Sequence, residues 1–260
     1  LLDWLAIDFI ESGWDIKRFQ KMLVMSATYR QSSAVPADKL AVDPENRLLA
    51  RGPRFRLDAE VIRDQSLAAS GLLTETVGGP AVRPYQPAGL WDELTISSAP
   101  YKHDNAPNLY RRSMYTFWKR TCPPPSMSAF GAPDRETCTV RRARTNTPLQ
   151  ALVLLNDPTY VEAARAFAQR IIQHVPDDDG RLTFAFRSCV ARLPDDRERD
   201  AAAELLIAAR QRFSEEPDAA QQLLSVGSSN VDVKVEPTEL AAWTSVASIL
   251  FNMDESISKP

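Results

Sequence analysis

Eight cationic side chains crowd one stretch of the chain, Leu109 to Thr145, which reads LYRRSMYTFWKRTCPPPSMSAFGAPDRETCTVRRART. Arg111, Arg112, Lys119, Arg120, Arg135, Arg141, Arg142 and Arg144 are opposed there only by Asp134 and Glu136. The window carries +6, so the remainder of a chain of net charge −3 carries −9. Guanidinium groups pair bidentately with planar anions and stack on aromatic rings. Tyr110, Tyr115, Phe117 and Trp118 are interleaved with these cations, which makes the stretch a candidate site for an anion or a sugar acid. On an ideal strand Arg112, Met114, Thr116, Trp118 and Arg120 share one face, bringing cation and ring together. The candidate ligand-binding set is Arg111, Arg112, Trp118, Arg120, Arg135, Arg141, Arg142 and Arg144. The competing reading pairs these arginines with the acidic surplus elsewhere, for instance Asp58, Glu60 and Asp64, because Arg–carboxylate networks also organise loop-rich regions.

Other chemistry is thinner. Glu60 and Asp64, four apart on one helix, can present both carboxylates on one face. His103 and Asp104 can add donors, but nothing in the spacing demands a metal, and none is expected. Cys138 lies among Arg135, Arg141 and Arg142, which favours a thiolate, yet neither histidine, His103 or His174, is near it in sequence. A serine triad would need His103, and no G-x-S-x-G elbow is present. Asp92, Glu93, Asp134 and Glu136 supply carboxylates from which a glycoside-cleaving pair can be drawn. Trp91, with Tyr85 and Tyr101 nearby, either stacks on a sugar or haem edge or anchors the surrounding loop on the core. The cysteines number three, Cys122, Cys138 and Cys189, with no CxxC and no CxxCH. Zinc-ribbon, thioredoxin and c-type haem attachment are therefore excluded for this segment. Cys122 and Cys138 flank the basic window and can pair if the chain folds back there; otherwise they are thiols.

The elements that must position these groups are mostly helices. Residues 1–12 and 16–30 carry apolar side chains at helical spacing, with Gly13 between and Asp15 as N-cap. Asp43-Pro44 opens a predicted short helix, PENRLLAR. Residues 56–70 form a helix with Leu57, Val61, Leu67 and Ala68 facing inward and Gly71 at its end. The span 74–108 lacks periodicity and is rich in Gly and Pro, as functional loops often are. Residues 113–120 and 136–142 read as short strands. Thr147-Pro148 and Asp157-Pro158 each start a helix. Helices over 181–193, 195–213 and 238–251 complete the chain, the last burying Trp243 with Leu240, Val246, Ala247 and Leu250. The expected architecture is one mainly α domain over residues 1–260, with a small β-ribbon around residues 113–142. At 260 residues such a chain needs no covalent staple.

The sequence pI of about 5.6 argues against a general nucleic-acid-coating role and keeps any anion affinity local. No apolar run is long enough for a membrane span. Because LLDWLAIDFIESG begins in mid-helix pattern without Met, the chain reads as part of a longer multidomain protein, so the absence of a signal peptide says nothing about export.

Several phrases in order, LLDWLA, GWDIKRFQKMLVMSATYRQSS, DPENRLLAR, RLDAEVIRDQSLAASGLL, YRRSMYTFWKRT, APDRETCTVRR and TNTPLQALVLLNDPTYVEAAR, resemble the planctomycete domain-of-unknown-function family numbered 1553. AAWTSVASILFNMDE resembles that family's closing helix, so the likeness extends over essentially the whole chain. The resemblance implies a C-terminal domain of a large exported protein, in periplasm or cell envelope, often following another uncharacterised domain and a cytochrome-c-like domain. Haem would then belong to an upstream domain, with no cofactor in this segment. In FGAPDRE the chain has Gly131 where the family is expected to carry Asp more often. The leading functional expectation is a non-catalytic, extracytoplasmic recognition or interaction module of a redox-linked protein, its partners being its own upstream domains and possible acidic polysaccharide. The alternatives are a hydrolase acting on anionic polysaccharide and a structural domain that docks its upstream partner. No catalytic residue is assigned.

Overall fold

The computed structural model describes residues 1–91 and 100–259. Among them are twelve α-helices and one two-stranded sheet, in which Phe55–Arg56 (β1) pairs with Ser258–Lys259 (β2). The fold is mainly α, as the capping signals require. The chain divides into two compact units, Leu1–Phe55 with Ser258–Pro260, and Arg56–Ile257.

The first unit is built on a helical hairpin. Helices α1 (Leu2–Glu11) and α2 (Ile16–Met25) turn at Gly13 and Trp14, both at positive φ, 73° and 62°. Asp15 caps α2 by accepting from the Arg18 N–H at 2.9 Å, and the Arg18 guanidinium forks onto Asp8 at 2.7 and 2.9 Å. A short α3 (Ala37–Val42) follows. The helix expected over PENRLLAR does not form. The Asp43 carboxylate instead accepts from the Arg47 and Leu48 N–H groups, each at 2.8 Å, and Asn46 and Leu49 take positive φ. A side chain that satisfies backbone donors locally competes with the helix it was expected to start.

The second unit holds the core. Helix α4 (Ala59–Ser70) is followed by the long irregular span, 3₁₀ turns at Asn108–Tyr110 and Ser113–Tyr115, and the short α5 (Pro125–Ala129). Next come α6 (Pro148–Asn156), α7 (Pro158–His174), α8 (Asp178–Val190) and α9 (Asp196–Glu215). The chain closes with α10 (Pro217–Leu224), α11 (Pro237–Asn252) and α12 (Asp254–Ile257). Helices α7 and α11 pack together at the centre. Ala163, Ala164, Phe167, Ala168 and Ile171 of the first meet Leu240, Ala241, Trp243, Val246, Ala247 and Leu250 of the second. The alanines let the backbones approach, and Trp243, fully buried, fills the space beyond them. Starts are well defined. Asp157 caps α7 through the Thr159 N–H at 2.9 Å, and Asp195 with Glu198 forms a reciprocal capping box on α9.

The small ribbon of this mainly α fold is present, but it is formed by β1 and β2 and not by residues 113–142. Residues 113–115 are a 3₁₀ turn, and 136–142 contain no strand. Single parallel bridges join Thr74 to Arg111 and Val82 to Thr116 instead, with Val82 N–H donating to the Tyr115 carbonyl at 2.8 Å and Phe117 N–H to the Val82 carbonyl at 2.7 Å. The irregular span thus supplies the backbone partner that the sequence pattern sought in 136–142.

Candidate anion-recognition surface

The basic window hangs from one buried cation outside it. Arg63 on α4 is 4% exposed and donates to the carbonyls of Leu109 at 2.8 Å and Arg111 at 2.9 Å, and to Ser113 Oγ at 3.1 Å. Its neighbour Asp64 accepts from the Ser113 N–H at 2.8 Å and the Ser113 hydroxyl at 2.7 Å. Two adjacent residues of α4 therefore fix the start of the window. Burial pushes the Arg63 guanidinium below its ordinary value, and Asp64 works against that shift.

Two window arginines are structural braces. Arg111 is buried; it donates to the carbonyls of Pro80, Thr76 and Gly78, and its guanidinium stacks 4.0 Å from the Tyr115 ring. It ties residues 76–80 to the 3₁₀ turns. Arg142 forks onto Glu60 at 2.6 and 3.1 Å and lies 3.8 Å from Asp58. Burial is the largest single influence and pushes the Glu60 carboxyl up, but the Arg142 hydrogen bonds, a backbone N–H and the charges of Arg142 and Arg135 together hold the group below the ordinary glutamate value. Internal pairing with α4 thus holds for Arg142.

The other members face solvent to differing degrees. Arg120, Arg135, Arg141 and Arg144 are exposed, and Arg112 is half-buried. The Arg135 guanidinium lies 4.6 Å from the Trp118 ring centroid, and Trp118 Nε1 donates to the Asp134 carbonyl at 3.1 Å. Arg120 Nε is 3.8 Å from Glu136, an exposed pair worth little in water. The side chains of Arg112 and Arg141 have no hydrogen-bond or ion-pair partner among the described residues. The expected pairing of Arg112 with Trp118 on a common strand face is replaced by Arg135 over Trp118, because the strand is absent. Arg135 sits at φ 65°, in the left-handed region, which turns its side chain back towards the ring.

The remaining candidates disperse. Among the described residues no cluster of His, Cys, Asp and Glu is arranged to hold a metal. Glu60 and Asp64 are committed to Arg142 and Ser113, while His103 Nδ1 faces the Asp104 carbonyl at 2.9 Å and stacks edge-on against Tyr85. Cys122, Cys138 and Cys189 are all free thiols; Cys122 and Cys189 are buried and Cys138 is exposed. Burial raises Cys122 and pushes Cys189 up to about 12, which keeps both protonated at neutral pH. Trp91 is buried against Tyr101 and Phe117 and donates to Gln86 at 3.0 Å, so it anchors its loop rather than offering a stacking face. Asp92 and Glu93 lie outside the described residues. Asp134 spends a carboxylate oxygen on the Glu136 N–H at 2.9 Å.

A family model, PSD1, described as a protein of unknown function (DUF1553), matches residues 1–206. The chain belongs to the DUF1553 family. No curated protein and no solved structure matches it. The match takes in the whole basic window of this DUF1553 chain and stops before α11, so the likeness read in AAWTSVASILFNMDE lies beyond it. Gly131 stands where the resemblance leads one to expect Asp. It lies at φ 73°, and a Cβ there would stand 3.0 Å from the Ala143 carbonyl oxygen. Asp at 131 would need the left-handed backbone and would press on the Ala143 carbonyl at the far end of the window.

Sequence reasoning missed Arg63 and a second buried pair, Glu162 and Arg165 on α7. The inward face of α4 is Ala59, Ile62, Arg63, Ser66 and Leu67, whereas Val61 is 46% exposed and Ala68 is also outside. A buried arginine breaks the apolar pattern that periodicity reads, so the face was misphased. Glu162 accepts from the Tyr110 hydroxyl at 2.8 Å and from the Ser228 and Ser229 N–H groups at 2.6 and 2.5 Å. Arg165 lies 3.7 Å from Glu162 and donates to the Ser229 carbonyl and hydroxyl at 2.9 and 2.7 Å. The available signal was their spacing, three apart in a helix otherwise lined with alanine.

Proposed function

We propose that this chain is a non-catalytic recognition module of a larger, exported, redox-linked planctomycete protein, and that Arg112, Arg120, Arg135 and Arg141 with Trp118 bind a carboxylate-bearing polysaccharide. The observation that supports the reading is the exposed guanidinium of Arg135 stacked on Trp118, flanked by further exposed arginines. A stacked guanidinium keeps its edge donors free and loses little freedom on pairing with a planar anion. Periplasmic or envelope location, the upstream haem domain and docking to upstream domains follow from the family resemblance and belong to the same proposal. Among the described residues no helix is long and apolar enough to cross a membrane.

The test is titration of the chain with polygalacturonate at rising salt. Binding should weaken with salt, since charges are screened over about 8–10 Å near physiological ionic strength. Arg120→Ala, Arg135→Ala and Arg141→Ala combined should remove binding at an unchanged melting temperature, because none of the three braces the fold. A wild-type chain that binds no polyanion at low salt would refute the proposal.

A further inference from the structure

A separate feature of the second unit is an apolar groove of about 520 Å³ between α6, α7, α9, α10 and α11. Its origin is a meeting of small side chains. Ala164 of α7, Ala208 and Ala209 of α9 and Ala219 of α10 leave space that larger residues would fill. Leu155, Leu205, Leu223 and Ile249 wall that space, and the buried Phe213 closes its base. Leu155 and Ile249 stay 38% and 48% exposed at its mouth. The volume falls within the range of about 300–1,000 Å³ usual for small-molecule sites.

The polar lining is sparse and one-sided. Arg212 is the one charged residue among the described residues that line the groove. Its Nε lies 3.5 Å from the Glu216 carboxylate, an exposed pair that water screens, and its guanidinium lies 5.5 Å from the Phe213 ring centroid at the groove. Ser245 returns its hydroxyl to the Ala241 carbonyl at 3.2 Å, whereas the half-buried Ser248 hydroxyl has no hydrogen-bond partner among the described residues. A hydrocarbon wall with a lone cation and a free hydroxyl complements a single aliphatic chain that ends in an anion.

We propose that this groove binds a linear anionic amphiphile, a fatty-acid-like carboxylate, with its chain among Leu155, Leu205, Leu223 and Ile249 and its head group on Arg212. The site is independent of the basic window, since it shares no residue with it.

The experiment is calorimetric titration of the 260-residue chain with octanoate, decanoate and dodecanoate, each below its micelle-forming concentration. One-to-one binding is expected, tightening about fourfold per added methylene, the equivalent of about 0.8 kcal/mol. Arg212→Gln should weaken dodecanoate and leave dodecanol unchanged. Ala208→Trp, at an exposed position, should fill the groove and abolish both without lowering the melting temperature; Ser248→Phe serves as the second blocking variant should the first not fold. Absence of saturable binding by any of the three carboxylates would overturn the proposal, as would binding that survives both blocking variants. Equal effects of Arg212→Gln on acid and alcohol would overturn the head-group assignment.

Discussion

Arg63→Met is the most direct test of how the basic window is held. Methionine keeps much of the length and apolar bulk of the arginine stem but removes every donor. Three hydrogen bonds disappear, two to backbone carbonyls and one to Ser113 Oγ, and hydrogen bonds to a charged group contribute about 1.5–3 kcal/mol each. The sum overstates the loss, because the substitution also relieves the desolvation of a fully buried guanidinium. Removing one partner from a buried charged network usually costs about 3–5 kcal/mol, and that range is the expected outcome here. In a domain of this size 1 kcal/mol corresponds to about 2–4 °C, so the melting temperature should fall by about 6–20 °C. Urea denaturation followed by tryptophan fluorescence and by far-ultraviolet circular dichroism gives the free energy directly. The two probes should separate before the main transition, because two of the five tryptophans, Trp118 and Trp91, lie in or against the window while the dichroism reports the helices. A loss below about 1 kcal/mol, with coincident probes, would show that the 109–113 backbone is held by something other than Arg63.

Trp243→Ala should cost about 3–5 kcal/mol, since the side chain is fully buried and donates to Glu239 at 3.0 Å; an unchanged denaturant midpoint would contradict the core assignment. Glu162→Ala should cost about 3–5 kcal/mol by leaving Arg165 buried without its carboxylate, and Glu162→Gln should recover part of that as an acceptor for Tyr110; equal stability of the two variants would show that the acceptor geometry is irrelevant. Arg142→Ala should cost about 0.5–1 kcal/mol, discounted because both partners remain partly exposed. Glu60 is depressed in the folded chain, so the stability it contributes is present above its ordinary value of 4.5 and lost as pH falls through its lower folded value. The gap between wild type and Arg142→Ala, measured by urea unfolding, should therefore be full at pH 7 and close below pH 4.5; a gap that widens on acidification would reverse the assignment.

Local signals carried most of the helical frame. Asp15, Asp157 and Asp195 with Glu198 mark helix starts through short-range chemistry, and the positions of α2, α7 and α9 follow from them. Trp243 was legible as core because its neighbours on α11 are apolar at helical spacing. Thr147 shows the limit of such reasoning, since α6 starts where expected although the Thr147 side chain makes no capping bond. The window was illegible for a different reason. Its alternation of aromatic and β-branched residues is a strand pattern, yet its backbone partners are Val82 and Thr74, more than thirty residues away, and its anchor is Arg63. Pairings at that separation leave no periodic trace. The arginine cluster was visible as composition, but its division into braces and exposed arms depends on the carboxylates that α4 presents to Arg142 and on the carbonyls of residues 76–80 that reach Arg111.

Residues 134–141 are exposed without interruption, and Val140 is fully open to solvent. Such a connector, rich in arginine, is an inviting substrate for a trypsin-like protease. Scission after Arg141 would leave α4 and α5 on one fragment and α6 and α7 on the other. Yet α4 packs on α7 and α5 packs on α6, so the cut would cross the covalent chain without crossing the core. The product would be a nicked pair of fragments that stays together through its buried surface, and the same joint is a natural point at which to divide the chain for reassembly from two separately made pieces.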